Sequence, residues 1–393
     1  MINRRKFVGG TAACASLGTA GALVSHSALA QPANYRVGLM LPTSGTFGVV
    51  GNAVLNGFKL ALAEYGGRLG GRNVDIVTVD DESDPAKASD NANRLVKRDK
   101  VDVLVGTVHS GVAMAMAKVA RDTKTLLIVP NAGADELTGA MCAPNIFRTS
   151  FSNWQTAHAA GRLVAERKHR NVVTLAWKYT TGEQLINGFK GAFEDGGGKI
   201  LKELYLPFPN VEFQPFLAEI AALRPDAVYV FIAGAGAVKF VKEYAAAGLK
   251  RIPLYAPGFL TDGLLEAMGE AADGITTTLH YADGLNTPRN TSFRKAYSAA
   301  YKDSPDVFAV QGYDTAQLLH AGIGAVKGDT GDQKALIKAM ESARIDSPRG
   351  PFTMSRTHNP IQDIYVRQVK GLENRYIGVA AKGLEDPGTG CRL

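Results

Sequence analysis

The sequence predicts an α/β protein built as two doubly wound, Rossmann-like lobes. Three observations carry this. From Tyr35 onward, short apolar runs alternate with segments whose apolar residues recur at helical spacing. The runs are near-continuous rather than alternating apolar and polar, the pattern of parallel strands covered on both faces. The alternation restarts after residue 150, and 393 residues are too many for one comfortable core.

The first thirty residues stand apart. Arg4, Arg5 and Lys6 precede an Ala- and Gly-rich apolar stretch that ends in "SALA" at Ala30, a small-x-small cleavage signal. Glycines, Ser16 and His26 interrupt the stretch, which makes it a poor membrane span. It reads as a signal peptide over 1–30. The arginine pair followed by Phe7 resembles a twin-arginine signal, with the general secretory route as the alternative. Removing those three cations from the 44 basic residues leaves 41 against 37 acidic, a net charge of +4 in single scattered charges. The longest basic run, "ERKHR" (166–170), reads as a solvated helix end, so nucleic acid is not expected as a partner. Cys142 and Cys391 remain after cleavage. In an oxidising compartment they are expected to pair and pin the tail.

The elements follow in order. "YRVGLMLP" is a buried strand, and the next segment places Val54, Leu55, Phe58, Leu62 and Tyr65 on one helix face. After the strand "VDIVTVDD", Asp84 reads as an N-cap and Pro85 as the first helical residue. Strand "VDVLVGT", helix "SGVAMAMAKVARD", strand "TLLIVPN", a short helix at "ADELT" and the extended "NIFRTSF" complete one half. The second half repeats the scheme from "NWQTAHAAGRLVAERK" through "IPLYAPG". Helices over 291–302, 306–327 and 332–344 then precede two tail strands, "IQDIYVRQVK" and "RYIGVAAKG". The lack of a flexible linker implies a cleft between the lobes.

Enzyme signatures are missing from the sequence: no G-x-S-x-G, no P-loop, no H-x-x-x-H. The protein is therefore not read as an enzyme, and no cofactor or metal is expected. "GAGAVKF" (234–240) lacks the third glycine of a dinucleotide fingerprint, and the aspartates of "VDDESDP" read as a strand end leading to a capped helix. His109 reads as a cleft residue rather than a general base. What remains is a set of strand-end turns, where open parallel sheets bind ligands. These are "PTSGTFG" (with Thr46 and Phe47), "GTVHSG" (with His109 and Ser110) and "PNAGAD" (with Asn131, Ala132 and Gly133) in the first half. The second half adds "WKYTTGE" (with Tyr179 and Thr181), "FIAGAG" (with Gly234) and "YAPGFLTDG" (with Gly258 and Phe259). Small residues let backbone N–H groups at helix starts approach an anion, and the aromatics offer apolar walls.

The stretches "VGLMLPTSGTFGVVG", "VDDESDPAKA", "DVLVGTVHSGVA", "IVPNAGADELT", "NIFRTSF" and "SPRGPFTM", in this order and spacing, resemble the type I periplasmic binding proteins of the Leu/Ile/Val-binding group, the solute receptors of ABC importers. The resemblance implies the type I periplasmic binding protein fold, with three crossovers near 149–152, 280–283 and 347–350. Residues 31–150 and 283–346 would form lobe one, and 151–282 and 347–393 lobe two. It implies a periplasmic monomer that captures a small-molecule ligand and delivers it to an ABC-importer membrane permease. It places a ligand carboxylate against Ser110 and Asn131, Ala132 and Gly133, and Tyr281 and Phe308 beside the ligand. Amino-acid binders of this group carry a Glu where this chain has Gly258 and a Thr where it has Gly133. The nearest acid, Asp262, is expected to face solvent. An ammonium would then be buried without a counter-charge, which costs several kcal/mol. The ligand is therefore read as a small carboxylate with an aromatic body. A branched-chain or other neutral amino-acid receptor and a periplasmic ligand-sensing protein stay open as alternatives.

Overall fold

The computed structural model describes residues 33–393; the leader over 1–30 and the expected mature start at Gln31 lie outside the described residues. Two sheets organise the chain. The first has the order β2-β3-β1-β4-β5-β6. It is built from β1 (Tyr35–Leu41), β2 (Arg68–Leu69), β3 (Arg72–Asp80), β4 (Val103–Val105), β5 (Leu126–Val129) and β6 (Ile146–Arg148). All its pairings are parallel except the β2–β3 hairpin. Every residue of β4, β5 and β6 is buried, as near-continuous apolar runs require.

The second sheet has the order β12-β13-β11-β10-β9-β7-β8, with β14 on β13. Its parallel strands are β7 (Asn171–Lys178), β8 (Lys199–Pro207), β9 (Ala227–Phe231), β10 (Leu254–Pro257) and β11 (Thr276–Leu279). β12 (Thr353–Met354), β13 (Pro360–Lys370) and β14 (Glu373–Leu384) add the antiparallel edge. Each sheet, with its helices, makes one lobe.

Helices α1 (Gly48–Glu64), α2 (Pro85–Asn93), α3 (Ser110–Thr123) and α4 (Asn153–Glu166) follow strands of the first sheet. Helices α5 (Thr180–Asp195), α6 (Gln214–Leu223), α7 (Gly234–Ala246) and the single turn α8 (Leu265–Met268) belong to the second. Then come α9 (Pro288–Tyr301), α10 (Val307–Ala325) and α11 (Gln333–Glu341). α10 packs along α1 and α11 on α10. The close approach of α1 and α10 depends on Gly57 and Gly312, where a Cβ would strike the Ala309 and Val54 carbonyls of the facing helix.

Local chemistry sets the helix starts. Asp84 caps α2 through the Ala86 N–H at 2.9 Å, with Pro85 at the first position. Ser152 and Gln155 close a capping box on α4. α9 begins three residues earlier than its apolar spacing suggested, because Thr287 caps it and Pro288 supplies a preset φ. α2 gives way after Asn93 to a π turn over Arg94–Arg98. Cys142 and Cys391 are joined by a disulfide with Cα atoms 5.5 Å apart.

Candidate functional site

In both sheets the strand order reverses at the strand that leads into the cleft: β1 lies between β3 and β4, and β7 between β8 and β9. Carboxyl ends at such reversals leave a crevice. Here the two crevices face each other around a cavity of about 360 Å³ of atom-free space, mouth included. The first lobe contributes Phe47 and Val50 after β1, Val108 after β4, and Asn131 and Gly133 after β5. The second contributes Tyr179 and Thr181 after β7, Phe231 and Ala233 at β9, and Phe259 after β10. Phe151, Asn153 and Phe308 close the remaining side. None of these lining residues carries a charge.

The helix starts give this apolar space its polarity. α1, α3, α4, α5, α7 and α10 all begin within three residues of a lining residue. The aligned peptide dipoles make the N-terminal ends electropositive, each worth about 0.3–1 kcal/mol to a nearby anion. Two of these starts meet directly. Thr181, on α5, donates through Oγ1 to Ser110 Oγ, on α3, at 2.7 Å. The aromatic rings form two groups: Phe208, behind the lining, lies between Phe47, at 5.6 Å centroid separation, and Tyr179, at 5.0 Å, and Phe151 packs on Phe259 at 4.7 Å. Burial holds the Tyr179 hydroxyl above its ordinary range, so it stays protonated.

Other expected residues stand just behind the lining. His109 Nδ1 accepts from the Gly111 N–H at 3.0 Å, which caps α3 and leaves the proton on Nε2. Its ring stacks on Tyr179, centroids 4.8 Å apart. Burial lowers its pKa to about 4 against the opposing pull of Asp84, so the ring is neutral at neutral pH. Ser110 and Ala132 are buried beneath the turn. Thr46 and Gly234 touch across the cleft: Gly234 has φ +56°, and a Cβ there would strike the Thr46 carbonyl. Tyr281, expected beside the ligand, lies outside the lining; its buried hydroxyl donates to Asn290 at 2.9 Å.

Gly258 also stands behind the lining, and its neighbour corrects one expectation. Asp262 does not face solvent. It is fully buried in an ion pair with Arg367, Nη2 to Oδ2 2.5 Å and Nη1 to Oδ1 3.0 Å. The guanidinium fills the place a side chain at Gly258 would need: a Cβ would overlap its Nη2 and stand 2.6 Å from Leu279 Cδ2. Asp262 therefore neutralises a buried cation rather than facing water or the cavity.

The segments between the sheets are tied by buried polar groups. Arg349 donates to the carbonyls of Thr149 at 2.6 Å and Ser150 at 3.2 Å, and lies 3.2 Å from Asp314 on α10. Asn131 donates to Gln311 Oε1 at 2.7 Å, which links the β5 turn to the same helix. The residues that sequence reasoning missed are Val50, Val108, Phe151, Asn153, Phe231 and Ala233. Val108, Phe231 and Ala233 lie inside quoted turns and Val50 follows one, so strand-end position was their available signal. Phe151 ends the extended stretch "NIFRTSF" and Asn153 follows it, and nothing local marked them as lining.

The arrangement defines a class: a two-lobed receptor that encloses one small ligand between facing sheet ends. The chain belongs to the Periplasmic binding protein family, which it matches over residues 34–374. A solute-binding protein of an ABC transporter from R. palustris, solved in complex with benzoate, is 51% identical, with 92% of this chain and 100% of that chain covered and a TM-score of 0.90. Another, from Rhodopseudomonas palustris BisB5 in complex with 3,4-dihydroxybenzoic acid, is 32% identical, with 90% and 99% covered and a TM-score of 0.86. The Leu/Ile/Val-binding protein homolog 6 of Brucella melitensis is 31% identical over 383 residues, 94% of this chain and 97% of that protein.

Proposed function

We propose that this protein is the receptor of an ABC importer for a small aromatic carboxylate, captured between two lobes that close on it. The observation that carries this reading is the pairing of an uncharged aromatic cavity with helix N-termini on both sides. Such a site favours an anion with a flat apolar body and offers an ammonium no counter-charge. Arg367 under Gly258 strengthens the argument, because a guanidinium stands where amino-acid binders of the group are expected to place a carboxylate. The benzoate and dihydroxybenzoate complexes of the R. palustris relatives support the same ligand class.

In this reading the carboxylate lies against Ser110, Thr181 and the turn of Asn131, Ala132 and Gly133, and the ring among Tyr179, Phe259 and Phe308. Lobe one comprises 31–150 and 283–346, and lobe two 151–282 and 347–393. The Arg349 contacts serve as the hinge clasp. The chain acts as a monomer that hands its ligand to the membrane permease, and Arg4 and Arg5 direct export. Replacing both arginines by Lys should block processing; normal processing would assign the general secretory route.

Calorimetry with benzoate, benzamide and phenylalanine tests the ligand class. The acid should bind, and the amide should fail because its NH₂ meets donors with a donor. The amino acid should bind poorly. Tight binding of leucine or phenylalanine with no binding of aromatic acids would overturn the reading.

A further inference from the structure

Asn153 opens α4 and is fully buried, its backbone N–H donating to the Gly133 carbonyl at 2.7 Å. Its side-chain amide has one orientation available. Nδ2 donates to Gln184 Oε1 at 2.8 Å. That same Oε1 accepts from the Asp135 backbone N–H at 3.0 Å, a group that can only donate. Gln184 Nε2 donates to the Glu136 carboxylate at 2.6 Å, a group that accepts. Both ends of Gln184 are thereby specified, and Asn153 must turn its NH₂ toward it.

Asn153 Oδ1 consequently faces the other way. It lies against Gly133, where a Cβ would overlap it, and both residues line the cavity. Among the described residues no donor reaches this oxygen. A buried carbonyl oxygen without a donor is costly, and buried polar atoms in folded proteins are satisfied as a rule. A ligand carboxylate cannot satisfy it, since both groups are acceptors. We infer that Asn153 is a specificity-determining residue whose Oδ1 accepts an O–H from the ligand, so that the preferred ligand is a hydroxylated arene carboxylate rather than the unsubstituted acid. This rests on the aromatic-carboxylate reading above and adds a second polar contact to it. It also narrows that reading: the carboxylate is held by Ser110 and Thr181, and the Gly133 end of the turn, where Oδ1 lies, receives the ligand hydroxyl instead.

The test is calorimetry on the mature protein with benzoate, the three monohydroxybenzoates and the matching fluorobenzoates, which keep ring and charge but donate nothing. One hydroxy isomer should bind about tenfold or more tighter than benzoate and than its fluoro counterpart. In Asn153→Ala that ratio should collapse toward one. Gln184→Leu, which leaves Asn153 in place but frees its amide to turn, should shrink the ratio too, and it covers the case in which Asn153→Ala does not fold. Thermal melts of both variants establish that the proteins compared are folded. Benzoate binding as tightly as every hydroxy isomer, or a ratio that survives both substitutions, would overturn the inference and leave the aromatic-acid reading standing. Failure of every arene carboxylate to bind would overturn both.

Discussion

Thr181 Oγ1 donates to Ser110 Oγ at 2.7 Å, so one hydroxyl from each lobe meets where two helix N-termini converge. A hydroxyl that accepts from Thr181 keeps its own proton for another acceptor. The Thr181 hydrogen bond thereby leaves the Ser110 hydroxyl proton free to donate.

In the proposed reading, Ser110→Ala removes a charge-assisted hydrogen bond to the ligand carboxylate, and it also removes the acceptor for Thr181. Affinity for an aromatic acid is expected to fall by about 1.5–3 kcal/mol, roughly tenfold or more, measured by calorimetry. Thr181→Val should cost less. A double-mutant cycle should show coupling between the two positions, and strict additivity would show that the hydroxyl pair does not act together.

Gly133 has no room for a side chain. A Cβ there would overlap Asn153 Oδ1 and stand 2.5 Å from Phe151 Cε2, both parts of buried side chains that line the cavity. Gly133→Val is expected to abolish ligand-induced stabilisation in a thermal melt while the unliganded protein still unfolds cooperatively. Retained binding would place the ligand elsewhere. Overpacking should lower the melting point through a loss of about 1–3 kcal/mol.

The Cys142–Cys391 bridge joins positions 249 residues apart. Cys391 lies beyond β14 of the second sheet, and Cys142 between β5 and β6 of the first. Closing so long a loop restricts the unfolded chain, and its reduction is expected to cost about 2–4 kcal/mol in denaturant titrations. Affinity for the ligand should change little, since neither cysteine lines the cavity.

Asp306 caps α10 by accepting from the Ala309 N–H at 2.9 Å. Burial, with Asp262 and Asp283 adding to it, pushes its pKa up to about 7, against the pull of the helix N–H groups. An acid raised in the folded state holds more protons there than in the unfolded chain. Its contribution is full below about pH 4 and is lost as the pH rises through about 7. Asn caps as well as Asp and cannot ionise. Asp306→Asn should therefore be more stable than the parent at pH 8 by about 1–3 kcal/mol, an advantage that shrinks as the pH falls and vanishes only below about pH 4. Equal pH profiles for the two proteins would show that Asp306 stays ionised in the folded state.

Much of this was legible beforehand. Short-range chemistry writes itself into a sequence: the apolar run of β5, the cap and proline of α2, and the small residues after each strand all act within a few positions. That is why strand-end turns located Phe47, Tyr179, Thr181 and Phe259 at the cavity without any coordinates. The family resemblance supplied the rest of the early reading, including the place of Phe308.

What the sequence by itself determined is the alternation of elements, the two-lobed class and the turns that face the cleft, because periodicity and capping are local. Only the tertiary structure decided which polar groups meet. Asp262 looked solvent-facing from its turn, yet Arg367, 105 residues away, pairs with it beneath Gly258. Asn153 looked like an ordinary helix start, yet Gln184 and Asp135 fix its amide and leave Oδ1 against Gly133 without a donor. A buried charge or amide is settled by partners brought close in space, and no spacing along the chain encodes that.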